Sequence, residues 1–156
     1  MPQAKQKRAR GAHTLLYPQP VLLVGTYDAN DRPNLMVAAW GGICSSGPAS
    51  VMVAVRKERW TYDALLKRQA FTVGIASERM TAEAGFTGIA SGRNGDKFEQ
   101  AALTPVRGEL VDAPYANECP VILECRLLQH IEAGAHTMFV GQILDVKCDE
   151  DCVTPG

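Results

Sequence analysis

The feature that most restricts this chain is how short its apolar runs are. Pro20–Gly25 and Val51–Val55 are among the longest, and turn-forming residues follow closely. Val21–Tyr27 reads as a strand, Asp28–Pro33 as a turn by composition, and Asn34–Trp40 as the strand that resumes after it. Cys44–Pro48 is expected to be a loop and Ser50–Val55 a short strand. Ala70–Ala76 is again strand-like, and two longer strands, Val121–Ile131 and Thr137–Val146, come late in the chain. Helical signals occupy two stretches. Thr61–Arg68 offers Thr61 as N-cap, Asp63 in the first turn, and Lys67 and Arg68 in the last. Ser77–Phe86 offers Ser77 or Thr81 as cap, and residues 87–100 read as a Gly-rich loop with a helical turn near Phe98. Strands outnumber helices and the connections are irregular. The expected class is therefore mainly β, a small antiparallel barrel with one or two short helices.

A length of 156 residues suits a single domain. Such a chain can bury roughly 70% of the surface its unfolded form exposes. With 46% apolar and 21% charged residues the composition is that of an ordinary soluble protein. The net charge of −1 supplies no global field for nucleic acid, and no apolar run approaches the roughly 20 residues that span a bilayer as a helix. Lys5–Arg10 is basic, but His13, Tyr17, Pro18, Gln19 and Pro20 interrupt any signal-peptide core after it. Residues 1–12 are expected to be a solvated tail, and the protein cytoplasmic. The five cysteines are odd in number and irregularly spaced, which is not a disulfide framework. Cys148 and Cys152 are the closest pair, yet no histidine lies near them and no metal site is expected. Cys119 and Cys125 are expected to be buried or half-buried strand residues.

Several common chemistries lack their signatures. There is no G-x-G-x-x-G after a strand, no phosphate loop ending in G-K-[ST], and no G-x-S-x-G. His13, His130 and His136 stand apart from one another, without ligand spacing. Hydrolytic and metal-assisted mechanisms have nothing to build on.

Four segments suit a planar, phosphorylated cofactor. In Asn34–Ser45, the small residues Ala38, Ala39, Gly41 and Gly42 would let a flat ring approach the backbone, with Trp40 as a wall. The same residues would also suit a tightly packed barrel corner. In Arg56–Thr61, three basic residues precede a helix start, where free N–H groups and the helix dipole favour an anion. A solvated basic turn has the same composition. Ser91–Phe98 could complete an anion pocket through Ser91, Gly92 and Lys97 on a flexible loop, or be plain surface. In Gly134–Gly141, His136 at the mouth of a strand could face a substrate or serve the strand alone.

Taken in order, these segments resemble the flavin reductase-like FMN-binding split barrels, and within them the flavoredoxins. The resemblance runs through Leu16–Val21, Gly25–Asp28, Arg32–Met36, Ala39–Gly42, Arg56–Thr61, Ser91–Arg93 and Asp96–Phe98. It continues through Leu103–Pro105, Ala113–Pro114, Glu118–Val121, Leu123–Arg126 and Gly134–His136. It implies a Greek-key split barrel that forms a homodimer with one FMN per subunit near the interface. The strand matching Asn34, Met36, Val37, Ala38, Ala39, Trp40 and Gly41 would border the isoalloxazine. Cys44 and Ser45, with Arg56, Arg59, Thr61, Ser91, Gly92 and Lys97, would approach the phosphate and ribityl chain. His136 matches a histidine near the nicotinamide in related reductases. Those relatives often have Gly-Asp-His where this chain has Gly134-Ala135-His136, and they usually run some tens of residues beyond Gly156.

The function implied is an NAD(P)H-dependent, flavin reductase-like oxidoreductase. The alternative is a flavoredoxin-type carrier that keeps FMN bound and passes electrons between protein partners. Neither nucleic acid nor a membrane is an expected partner.

Overall fold

In the computed structural model, which describes residues 5–153, the strands form one seven-stranded antiparallel sheet and a two-stranded arm. The strands are β1 (Leu22–Tyr27), β2 (Pro33–Ala38), β3 (Gly41–Ser46), β4 (Ala49–Arg56), β5 (Ala70–Ile75), β6 (Pro105–Arg107), β7 (Pro114–Ala116), β8 (Val121–Ala133) and β9 (His136–Cys148). Three helices interrupt them: α1 (Trp60–Arg68), α2 (Thr81–Ile89) and the single turn α3 (Lys97–Gln100). The main sheet has the order β2-β1-β5-β8-β9-β4-β3, and β6 pairs with β7. The helical turn expected near Phe98 is α3, where Asp96 caps the turn by accepting from the N–H groups of Phe98 and Glu99.

The sheet curls until its two ends share a core. Met36 and Ala38 of β2 pack in the same buried cluster as Val51, Val53 and Val55 of β4, together with Val24, Phe71, Val73, Cys125 and Phe139. Burying one such side chain contributes about 1.5–3 kcal/mol. The opposite face of β2 is covered as well. Leu35 joins Leu23, Met80, Phe98, Leu103 and Ile122 beneath the helices. β2 is thus buried on both sides, which is why it reads as a continuous apolar run. At Gly25 the β7 backbone comes so close that a Cβ would lie 1.9 Å from the Pro114 carbonyl oxygen. A two-residue turn at Gly134-Ala135 joins β8 to β9, with Gly134 at φ 62°.

Local expectations are corrected at several points. Residues Cys44–Ser46 belong to an edge strand rather than a loop, because β3 pairs with β4 from Gly41 to Ser46 around an irregularity at Cys44. Long-range pairing overrides the weak strand propensity of Gly41, Gly42, Ser45 and Ser46. Thr61 is not an N-cap. Arg59 holds that position with no side-chain cap, and Thr61 lies inside α1. Neither Ser77 nor Thr81 caps α2 with its side chain, and a 3-10 turn at Glu78–Met80 leads into that helix. Cys125 is buried in β8, whereas Cys119 is buried in the turn before it.

The basic tail is exposed and without helix or strand from Lys5 onward, and its first four residues lie outside the described range. Residues 154–156 also lie outside it. Among the described residues the cysteines are free thiols, no cluster of His, Cys, Asp and Glu is placed to hold a metal, and no helix is long and apolar enough to cross a membrane.

Candidate functional site

The sheet order brings the end of β2, the start of α1, the end of α2 and the start of β9 to one side of the barrel. Two depressions open there and meet at Met36 and Arg59. The first, about 160 Å³, follows Met36, Val37, Ala38, Ala39 and Trp40, and is bordered by Arg56, Arg59 and His136. The second, about 180 Å³, lies between Arg59–Thr61 and the segment Gly88–Arg93, with Lys97 in its wall. Together they form a trough.

The shallow end is flat and open. Met36 and Ala38 turn into the core, so the trough rests on the backbone and on small side chains. The Trp40 carbonyl accepts from the Ala54 N–H at 2.8 Å, which ties the end of β2 to β4. His136 opens β9 opposite Arg56 and packs against Trp40 in a tilted arrangement, with ring centroids 4.7 Å apart and planes at 45°. Trp40 remains 41% exposed, leaving part of the indole available to a ligand.

The deep end is electropositive and rich in donors. The nine-residue helix α1 begins at Trp60 with no side-chain cap; the Tyr62 N–H donates to the Arg59 carbonyl at 3.0 Å, and the N–H groups of Trp60 and Thr61 lack the partner a capping side chain supplies. The Arg59 side chain makes no hydrogen bond or ion pair among the described residues. Arg56 differs, because its Nε meets the Glu58 carboxylate at 2.7 Å. Glu58 also lines this end, with its charge engaged by Arg56. Arg93 donates to the Glu58 carbonyl and lies over the Trp60 ring. Ser91 accepts from the Arg93 N–H at 3.3 Å. Gly92 packs so tightly that a Cβ there would fall 2.4 Å from Trp60 Cδ1 and 2.7 Å from Asn34 Oδ1.

Lys97 departs most from expectation. It was expected in a flexible loop, but it is 4% exposed and opens α3. Its Nζ donates to the Leu35 carbonyl at 2.7 Å and the Thr87 carbonyl at 3.0 Å. The cap at Asp96 turns this residue inward, and the backbone acceptors of β2 and α2 satisfy the buried ammonium. Burial draws its pKa down to about 8, and the nearby Arg59 guanidinium adds to the effect.

The expected site residues thus divide into two sets. Met36, Val37, Ala38, Ala39, Trp40, Arg56, Arg59, Thr61, Ser91, Gly92, Lys97 and His136 line the trough. Asn34 sits behind it, donating to Thr61 Oγ1 at 3.0 Å. Gly41 serves packing, since a Cβ would come within 2.8 Å of both Leu22 and the Met52 carbonyl. Cys44 and Ser45 lie on β3, away from the trough. Trp60, Arg93 and the segment Gly88–Ala90 line it without having been singled out. The last is placed by α2 packing on β2, a contact between distant segments that leaves no local signal.

A curled antiparallel sheet with a ligand-sized trough across its rim defines a split-barrel protein. The family model described as flavin reductase like domain matches residues 14–155, and the chain belongs to that family. The flavoredoxin of Desulfovibrio vulgaris (Miyazaki F) is 50% identical, with a TM-score of 0.90, covering 96% of this chain and 80% of that one. Flavoredoxin from Methanosarcina acetivorans is 27% identical with a TM-score of 0.86, covering 97% and 79%. An uncharacterized protein of Archaeoglobus fulgidus is 33% identical over 131 residues, 84% of this chain and 73% of its own length.

Proposed function

We propose that the trough holds FMN and that the protein is an NAD(P)H-dependent, flavin reductase-like oxidoreductase. One observation carries this reading: a flat floor of small residues leads directly into an uncapped helix start flanked by Arg59 and Lys97. A phosphate at the deep end would meet Arg59, the Thr61 hydroxyl and the first N–H groups of α1, with Lys97, Ser91 and Gly92 in the wall. An isoalloxazine would lie along Met36–Trp40, where Ala38 and Ala39 admit it close to the backbone. A bound flavin supplies hydride acceptance and the onward passage of electrons, while the protein supplies position and electrostatics. Trp40 and His136 would face a nicotinamide at the open end. FMN is favoured over FAD because the deep end suits one terminal phosphate and no dinucleotide fingerprint is present.

The proposal includes a homodimer. β3 is an edge strand, and Ile43 on it is 69% exposed. Unpaired edges of this kind are commonly covered. Cys44 and Ser45 would approach a cofactor only across such a contact. A second reading, an electron carrier with tightly held FMN, is supported by the 50% identity to a flavoredoxin.

The absorption spectrum of the purified protein, followed by anaerobic addition of NADH or NADPH, tests both. A yellow protein that bleaches on mixing is a reductase. One that stays yellow until a reduced protein partner is added is a carrier. A colourless protein that takes up no FMN refutes both readings.

A further inference from the structure

The amide of Asn34 connects the two walls of the deep end. Its Nδ2 donates to Thr61 Oγ1 on α1 at 3.0 Å, from a residue that is 4% exposed. Its Oδ1 is buried without a hydrogen-bond partner and faces Gly92, where a Cβ would stand 2.7 Å away. A threonine hydroxyl has one hydrogen and two lone pairs. With one lone pair occupied by Asn34, the Thr61 hydrogen is left to point elsewhere, and it has no acceptor among the described residues. A helical threonine usually spends that hydrogen on a carbonyl three or four residues back. Thr61 is the second residue of its helix, so the residues at those places lie outside α1. Its side chain is buried, yet it lines the trough. A hydroxyl held by a donor on one side becomes a donor on the other, and such chains strengthen cooperatively.

We infer that Asn34 is a positioning residue that turns the Thr61 hydroxyl toward an anion in the trough, and so sets a preference for phosphorylated over unphosphorylated flavin. This rests on the FMN reading above. The opposite amide orientation would make Thr61 donate to Asn34 and offer the anion only an oxygen lone pair. The inference commits to the chain Asn34 Nδ2–H to Thr61 Oγ1, then Thr61 O–H to the phosphate.

The test is a set of fluorescence titrations with FMN and with riboflavin, whose ring is the same and whose phosphate is missing. The proteins are the parent, Asn34→Ala, Thr61→Val, Thr61→Ser and the Asn34→Ala/Thr61→Val double variant. Thr61→Val keeps the side-chain shape, and riboflavin binding reports in each protein that the ring end remains folded. The expected result is that Asn34→Ala and Thr61→Val each weaken FMN about tenfold, the scale of one hydrogen bond to a charged group. Riboflavin affinity should change by less than about twofold, Thr61→Ser should behave as the parent, and the double variant should be no worse than Thr61→Val, since the two residues act as one unit. If Asn34→Ala weakens both flavins alike, the residue is merely structural and the inference fails. Multiplying losses in the double variant would show that Asn34 acts independently of Thr61, which also overturns it. A parent that binds neither flavin refutes the functional reading itself, and a parent that binds both equally refutes only the phosphate end.

Discussion

Lys97 donates a 2.7 Å hydrogen bond to the carbonyl of Leu35, a residue 62 positions earlier in the chain. A second bond, to Thr87, makes this one ammonium a tie between β2 and the last turn of α2. The same side chain lines the deep end of the trough, so on the proposed FMN reading cofactor binding and fold stability would share a residue.

Lys97→Met should therefore destabilise the protein before any flavin is added. The loss expected is on the order of 1–3 kcal/mol, since a buried acceptor at Thr87 loses its charged donor. Urea denaturation of the apo-proteins measures it. An unchanged midpoint would show that the tie carries no stability.

The lysine also predicts a pH dependence. Its folded pKa, about 8, lies below that of an unfolded lysine, roughly 10.4. Between those values the unfolded chain binds more protons, so this group makes stability rise with pH across that window and contributes no slope below it. A phosphate beside it would favour the ammonium and draw a proton in. FMN affinity should thus fall as pH rises from 7 to 9, while riboflavin affinity stays flatter. Titrating both at fixed ionic strength checks this, and parallel curves would remove Lys97 from the phosphate end.

His136 should matter to electron entry more than to cofactor retention. Its ring lies against Trp40 at the open end, across the strand pair from Arg56 and apart from the Lys97 end of the trough. His136→Ala is expected to slow anaerobic bleaching by NADH about tenfold, the rate equivalent of roughly 1.4 kcal/mol in barrier, and to leave FMN affinity within a factor of about three, or roughly 0.65 kcal/mol. Stopped-flow absorbance beside a binding titration separates the two effects.

Glycines that look alike in the sequence should respond differently to alanine. At Gly92 a Cβ would overlap Trp60, and at Gly25 it would overlap the Pro114 carbonyl, so each change must move backbone or indole. At Gly42 nothing lies within 4 Å. Gly25→Ala should cost about 1–3 kcal/mol or more, Gly92→Ala should weaken FMN with a shift in tryptophan fluorescence, and Gly42→Ala should be tolerated. Thermal melts of the three variants rank them.

The exposed β3 edge predicts self-association. The parent should scatter light as a dimer at micromolar concentration, and Ile43→Lys should shift it toward monomer by placing a charge on that edge. A monomeric parent with FMN bound would contradict this expectation.

The strands with a strong local signal are legible from residue pattern alone. β1, β2, β4, β5, β8 and β9 are apolar runs bounded by turn residues, and side-chain pattern acts within a few residues. The small residues at Ala38 and Ala39 and the basic stretch before α1 were legible for the same reason. The tertiary structure decided the rest. Gly41–Ser46 became a strand only because β4 offered it an edge. Thr61 moved from cap to buried hydrogen-bond acceptor because Asn34 lies beneath it. Lys97 left its expected loop because Leu35 and Thr87 present carbonyls to it. The trough exists only where β2, α1, α2 and β9 converge, and that convergence follows from the order β2-β1-β5-β8-β9-β4-β3. Long-range pairing competes with local propensity and is paid for by burial and hydrogen bonds between segments far apart in the chain, which no local window contains.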